Sequence, residues 1–258
     1  MLVQFDCWES PDRAQVVSAK AANPGLYAWQ GYVPGWGAPY GGGWSAQAVL
    51  AVLGQGLGYL PLMVPASGDA AKTPQDAQGW DQAVIFGEHH VASGGGKLTV
   101  LGLDVEAPWS AADLQGWRGA ALAFAAACQR SGVASVVYGS PSFLASLATT
   151  GAPSIIYPGE WPNGANAPTG ALDLAQIPGI PDSEWNGAGQ RIWQYQGGHS
   201  VSGLAIQVDA SLTSLAIPYC RPVAQPTPNP APAPDPTVPT ELGAGVYTLP
   251  SGAKITVS

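Results

Sequence analysis

Charge is scarce in this chain. Of 258 residues only 10% are Asp, Glu, Lys or Arg, against a usual share of about 25%. Nine are basic and 17 acidic, a net charge of −8. Without clustered Lys and Arg the sequence has neither the electrostatic footprint of a nucleic-acid binder nor that of a protein drawn to anionic membranes. Long apolar runs are also missing. The longest lies near Ala120–Cys128, well short of the ~20 residues that cross a bilayer, so no membrane span is expected. The start, MLVQFDCWESP, has no basic n-region and no apolar h-region. The expectation is that it carries no signal peptide, and that a role outside a cell would require lysis or assembly into a particle.

Other absences narrow the chemistry. There are three cysteines, Cys7, Cys128 and Cys220, and no CxxC pair, which argues against a zinc ribbon or a redox motif. Reduced structural thiols are expected, with a Cys7–Cys220 bridge as the alternative. No HExxH occurs, and His89 and His90 are adjacent. On a helix they would point about 100° apart and could not easily share one ion, so Glu88–His90 reads as a surface helix end and no metal site is expected. Gly139-Ser-Pro-Ser142 is not the GxSxG of a nucleophile elbow. No GxGxxG follows the first strand, and Gly54-Gln-Gly-Leu-Gly58 precedes a strand and reads as a turn.

What is present is apolar residue, glycine, proline and tryptophan. The 46% hydrophobic content supports a sizeable core. Eight of the 25 prolines lie between Pro222 and Pro239, a stiff polyproline-like spacer that could reach roughly 50 Å. The expected organisation is a main domain over residues 1–221, a Pro-rich linker over 222–240, and a docking segment over 241–258. In that last segment Val246–Leu249 and Lys254–Val257 flank a Pro-Ser-Gly turn as a β-hairpin. A lone hairpin is marginal in water, so self-association or an assembly partner is expected there.

The first ~220 residues alternate strand-like and helix-like segments, the mark of an α/β fold. Strands are expected at Leu2–Asp6, Leu26–Trp29, Gly58–Val64, Leu98–Glu106, Ser135–Tyr138, Ser154–Tyr157, Arg191–Tyr195 and Leu204–Asp209. Helices are expected at Pro11–Ala22, Ser45–Leu53, Thr73–Ala92, Ser110–Ser131 and Ser142–Leu147. Thr73-Pro74 and Ser110-Ala-Ala-Asp113 supply start signals, and Gly132 supplies a C′ glycine. Eight strands with intervening helices predict a (β/α)8 TIM-type barrel. An open doubly wound sheet is the alternative.

Side chains alternate across a strand. In LVQFD, Gln4 and Asp6 therefore share one face. In LGLDVEAP, Asp104 and Glu106 share a face opposite Leu103 and Val105, and in LAIQVDAS, Gln207 and Asp209 oppose Ile206 and Val208. Each acid is read as lying near the C-terminal end of its strand, where barrel active sites lie. Each could instead cap a helix or pair with Arg118, Arg130 or Arg191. Four acids at matching strand ends favour a carboxylate-lined site. Such pairs serve glycoside hydrolysis, one acid with a raised pKa protonating the leaving oxygen while the other acts as base, nucleophile or stabiliser. Positions i and i+2 are about 6.6 Å apart along a strand, between the retaining and inverting ranges, so spacing does not fix stereochemistry. Ten tryptophans suit a sugar cleft, with Trp109 and Trp161 the best candidates for ligand contact. Tyr138, Gln194 and Gln207 complete the expected substrate-binding set. The Gly-, Pro- and Asn-rich stretch from Pro158 to Gln190 reads as one side of the cleft.

FDCWESP at Phe5–Pro11, LDVE at Leu103–Glu106, IWQYQGG at Ile192–Gly198 and IQVDAS at Ile206–Ser211 resemble the glycoside-hydrolase-like barrel family of actinobacteria and their phages. That family is similar to the family-25 lysozymes, which cut the N-acetylmuramic acid to N-acetylglucosamine bond of peptidoglycan. The resemblance spans roughly Leu2 to Leu212. It implies Glu106 as general acid, Asp104 as the partner aspartate that orients the substrate acetamide, and Asp6 and Asp209 as the acids of the first and last strands. It implies a cell-wall glycan as substrate, no cofactor, and a lysin or tail-associated setting. The chain departs from the lysozymes at the third strand, where YLPLMVP, Tyr59 to Pro65, replaces a Tyr-His-Phe-like block. A non-catalytic glycan-binding barrel of a virion tail and a cytosolic sugar hydrolase are the competing readings.

Overall fold

The computed structural model describes residues 2–34, 43–65, 74, 76–106, 111–148, 150, 153–159, 174, 190–201, 204, 206–214, 216–223, 245–248 and 254–257. It divides into two compact units, Met1–Val223 and Ala224–Ser258. In the second, Gly245–Thr248 pairs antiparallel with Lys254–Val257, forming the expected hairpin. Trp109, Trp161 and the Pro-rich linker beyond Val223 lie outside the described residues.

The first unit is a nearly closed eight-stranded barrel. Its strands are β1 (Leu2–Asp6), β2 (Leu26–Tyr32), β3 (Gly58–Met63), β4 (Val100–Val105), β5 (Ala134–Gly139), β6 (Ile155–Pro158), β7 (Ile192–Ser200) and β8 (Gln207–Thr213). The first six run parallel in chain order. Parallel bridges Ile156 to Arg191 and Gly159 to Gln194 bring β7 beside β6 and close the ring. Among the described residues helices follow the first five strands: α1 (Arg13–Ala22), α2 (Ala46–Gly54), α3 (Ala77–Ser93), α4 (Ala111–Arg130) and α5 (Pro141–Ala148).

The barrel departs from a regular (β/α)8 at its last strand. β8 runs antiparallel to both β1 and β7. It also begins three residues later than the sequence predicts and continues to Thr213. The continuation has a cause inside the barrel: the Ser211 hydroxyl bonds the Tyr157 hydroxyl at 2.7 Å, and Thr213 bonds the Tyr219 hydroxyl. Polar residues that read as a strand end from sequence are thus ladder residues facing a polar lumen.

Local chemistry fixes the helix starts. Asp12 caps α1 in a reciprocal box, its Oδ1 accepting from Gln15 N at 2.8 Å while Gln15 Oε1 accepts from Asp12 N at 2.7 Å. α3 starts at Ala77 rather than near Thr73, because Asp76 is the cap, its Oδ1 accepting from Gly79 N at 2.7 Å. Gly132 follows α4 at φ +68, the left-handed conformation expected of a C′ glycine.

The apolar core lies between strands and helices. Leu101, Leu103 and Val105 are buried there. Trp44 stacks on Tyr59 with centroids 5.5 Å apart, and Trp80 meets Phe124 edge-on at 5.4 Å. Each such ring removes about 150–250 Å² from water, worth about 4–6 kcal/mol in transfer terms. Trp29 and Trp44, which fall near strand ends in the sequence, are fully buried in this layer. His90 is buried too, not at a surface helix end. Its Nε2 lies 2.9 Å from the Tyr59 hydroxyl, and burial lowers its pKa to about 4. The three cysteines are free. Cys7 follows β1 at one end of the barrel, whereas Cys220 bridges to Tyr59 and contacts the Val100 carbonyl at the other, which rules out the Cys7–Cys220 disulfide.

Candidate active site at the barrel mouth

The barrel lumen is lined by polar side chains. At the base, the Tyr219 hydroxyl donates to Gln4 Oε1 at 2.5 Å and bonds Thr213. One layer up, Gln4 Nε2 donates to Gln30 Oε1 at 3.1 Å and to the Tyr157 hydroxyl at 3.2 Å. Gln30 Nε2 in turn donates to Asp6 Oδ2 at 2.7 Å. The donors all point one way, from the base toward Asp6.

At the mouth the alternation read from sequence places the acids. Asp6 is 4% exposed and Asp104 6%, and Glu106 is exposed on the rim just past β4. Asp209 is half-buried and sits directly opposite Asp6 in the β1–β8 ladder. It is the third residue of β8, not near its C-terminal end. Because β8 runs antiparallel, its start reaches the same rim as the ends of β1 and β4. Gly198 N donates to Asp209 Oδ1 at 2.6 Å, and Gln194 Nε2 donates to Asp209 Oδ2 at 3.2 Å and to Asp6 Oδ2 at 3.5 Å. Gly198 has φ +61, a bulge conformation that turns its N–H toward the carboxylate.

The electrostatics are one-sided. Burial raises the Asp6 pKa well above its ordinary value, and Asp209, Asp104 and Glu106 raise it further. Burial also raises Asp104, with Glu106 adding to it. Glu106 is raised by burial, lowered in part by the Tyr138 hydroxyl, and raised again by Asp209. Asp209 is raised by burial and eased by the Gly198 N–H. No cation contributes to any of the four. Arg130 pairs instead with Asp81 at 2.5 Å, and Arg191 donates to the Leu174 carbonyl. Among the described residues two buried oxygens, Asp6 Oδ1 and Asp104 Oδ1, have no hydrogen-bond partner. An anionic oxygen in that state costs several kcal/mol. Such a cluster favours keeping a proton and accepts a polar ligand.

Among the residues expected to bind substrate, Tyr138 lies in the lumen beside Asp104 in the β4–β5 ladder, and its hydroxyl donates to Gln194 Oε1 at 2.7 Å. Gln194 is 1% exposed, beneath the acids. Gln207 is exposed at the start of β8. Sequence reasoning missed Gln30 and Tyr32 by ending β2 at Trp29. Tyr32 packs against Trp8 with the rings tilted at 50° and centroids 4.6 Å apart. Burial, then Asp6, Asp104 and Glu106, raises the Tyr32 pKa, which marks it as a wall of the same mouth. The period-2 pattern continuing through Gln30 and Tyr32 was the available signal. Among the described residues no group of acids, histidines and cysteines has the arrangement of a metal site.

The sequence matches no protein-family model and no curated protein. Solved structures do match in fold. The Tat-secreted protein Rv2525c of Mycobacterium tuberculosis, solved with L-tartrate, aligns over 82% of this chain and 95% of its own, at 15% identity and TM-score 0.55. The catalytic domain of the endolysin ply40 from bacteriophage P40 of Listeria monocytogenes aligns over 83% and 94%, at 12% identity and TM-score 0.52. GHIP, a glycosyl hydrolase 25 of Streptococcus pneumoniae, aligns over 83% and 87%, at 13% identity and TM-score 0.51. At these identities the likeness is one of fold: residues Met1–Val223 form a barrel like that of the family-25 glycosyl hydrolases.

Proposed function

We propose that this chain is a glycoside hydrolase of lysozyme type that cleaves the glycan of bacterial peptidoglycan, acting outside the cell as a phage lysin or tail-associated enzyme. One observation carries the reading. Asp104 on the lumen face of β4 and Glu106 just past its end stand with Asp6 and Asp209 at one mouth, with buried oxygens without partners and no cation in balance among the described residues. The fold shared with an endolysin catalytic domain and a glycosyl hydrolase 25 supports the substrate class.

In this reading Glu106, exposed on the rim with its pKa raised by burial and by Asp209, gives its proton to the glycosidic oxygen. Asp104, deeper and more buried, receives the N–H of the substrate acetamide on its unpartnered Oδ1. It thereby holds the acetamide oxygen against the anomeric carbon and stabilises the oxocarbenium-like centre. Asp6 and Asp209 hold the water that completes hydrolysis. Tyr138 and Gln207 line the mouth, and Trp109 and Trp161 are assigned to stacking on sugar faces. The steps use side chains of this chain alone. The hairpin at 245–257 is assigned to attachment, through self-association or an assembly partner.

The test is release of reducing ends from purified peptidoglycan, with mass analysis of the fragments, for wild type beside Glu106→Gln. Release by wild type alone supports the reading. No release, with retention on sedimented wall material, replaces it with a glycan-binding barrel.

A further inference from the structure

Of the six tryptophans among the described residues, five are buried in the fold: Trp29, Trp44, Trp80, Trp117 and Trp193. Trp8 is the exception, half-buried on the loop that follows β1. Two of the buried rings hold that loop. Trp44 Nε1 donates to the Cys7 carbonyl at 3.0 Å and Trp29 Nε1 donates to Cys7 Sγ at 3.3 Å, each spending its single N–H there. Cys7 Sγ in turn donates to the Glu9 carbonyl at 3.2 Å, and Ser10 Oγ accepts from Ser45 N at 3.1 Å at the head of α2. Gly31 leaves room for the Trp44 ring, since a Cβ there would stand 2.1 Å from it. The residues on both sides of Trp8 are therefore fixed, and its ring is presented with little left to order when a ligand arrives.

The place of that ring matches the acids. Asp6 pairs with Gln30 in the β1–β2 ladder, so Tyr32 stands one layer further out on the face that carries Gln30. Trp8 packs against Tyr32, and the two rings form a wall on the β1–β2 side of the mouth. In the same mouth Asp6 Oδ1 and Asp104 Oδ1 are buried oxygens without a partner among the described residues. A pyranose ring has two kinds of surface: a C–H face that lies on an aromatic ring, and a rim of hydroxyls that needs hydrogen-bond partners. An aromatic wall beside unpartnered acceptors answers both. The C–H face is flat only where the ring substituents are equatorial, as in β-linked sugars of gluco configuration. We infer that Trp8, packed on Tyr32, is the platform on which the mouth seats one pyranose ring of a β-linked, gluco-configured glycan. The identity of that glycan rests on the glycosidase reading; the platform itself does not require cleavage.

The experiment is calorimetric titration of soluble, peptide-stripped glycan strands from purified peptidoglycan into the full-length chain carrying Glu106→Gln, so that the strands are not consumed. Trp8→Leu and Trp8→Phe are then added to that background. Leucine keeps apolar bulk against Tyr32 and removes the aromatic face; phenylalanine keeps a smaller face. Trp8→Leu should bind about tenfold more weakly, and Trp8→Phe should stay close to its parent. A Trp8→Leu variant that binds as its parent does would reduce Trp8 to a packing partner of Tyr32 and overturn the inference. The second readout is the indole N–H spectrum of the tryptophan-labelled Glu106→Gln chain. The signal that disappears in Trp8→Phe identifies Trp8 and should shift as strands are added. A Trp8 signal that stays in place while strands bind overturns the inference, and it decides the matter if Trp8→Leu does not fold. Trp8-dependent binding by a wild type that releases no reducing ends keeps the platform and removes the glycosidase reading. Binding and cleavage with no dependence on Trp8 keep that reading and remove the platform. No binding by any form overturns the inference.

Discussion

The two ends of the barrel lumen are built from the same kinds of residue and finished differently. At the base, Thr213, Tyr219 and Gln4 close a hydrogen-bonded set, with the Tyr219 hydroxyl bonding Thr213 and donating to Gln4 Oε1. At the mouth, Asp6 Oδ1 and Asp104 Oδ1 are buried without a donor among the described residues, and a second carboxylate stands directly opposite Asp6. Like charges paired across strands are destabilising, and an unpaired buried polar atom costs more than a made bond returns. The base is thus polar for the sake of the fold, and the mouth is polar at the expense of it. That contrast is the ground for placing the proposed chemistry at the mouth.

Substitutions should separate the two ends. The largest effect belongs to the rim: Glu106→Gln should lower glycan hydrolysis by about 10²–10⁴-fold while the melting temperature stays level or rises, read by reducing-end assay and thermal melt on the same sample. Activity within a few-fold of wild type would detach Glu106 from the chemistry. Next comes the pH dependence of stability. Asp6 and Asp104 have folded-state pKa values raised, first by burial and then by neighbouring carboxylates. Their contribution is fully present below the unfolded value, about 3.9 for Asp, and is lost as pH rises through the folded values. Thermal melts at stepped pH should show the protein weakening as pH climbs out of the ordinary carboxylate range. An Asp6→Asn/Asp104→Asn double variant should show a flatter curve. An unchanged slope in the double variant would mean these acids are not strained.

At the base the effects reverse. Tyr219→Phe strands Gln4 Oε1 and should cost about 1–3 kcal/mol of stability with turnover preserved below the melting range; lost turnover in a folded variant would join the base to the chemistry. The smallest change is expected at the bulge. Gly198→Ala meets only ordinary contact with Gln207 Oε1 at 3.7 Å, but it must adopt φ +61, which costs about 1–2 kcal/mol for a residue with a Cβ. It should loosen the Asp209 anchor and lower stability by that amount in a denaturant titration.

Much of this mouth was legible in sequence because strand alternation is a local rule. It put Gln4 with Asp6 on one face of β1, and Asp104 with Glu106 on one face of a strand running to Glu106; the structure has Gln4, Asp6 and Asp104 in the lumen but ends β4 at Val105, with Glu106 on the rim just beyond. Direction was not legible. Nothing in Leu204–Ser211 says that β8 runs antiparallel, since that follows from pairing with β1 and β7, far away in the chain. The reversed strand still delivers Asp209 to the mouth, because the acid lies near the strand's start. Gln30 and Tyr32 escaped notice because Gly31 broke the apolar pattern of β2. Tyr219 escaped because it follows the last strand and closes the base from outside the ladder. His90 was misplaced because a polar side chain on a helix reads as exposed unless its partner, here Tyr59 on β3, is known. Trp109 and Trp161 lie outside the described residues, and their stacking role stays with the proposal.

The contrast between the two ends is tested most directly by measuring stability and hydrolysis together for Asp104→Asn at neutral pH. The account predicts a variant as stable as wild type or more so, because a buried charge is gone, whose peptidoglycan cleavage has fallen at least about 100-fold. A variant that melts several degrees lower and still cleaves would show that Asp104 serves the fold and that the mouth is not where this protein acts.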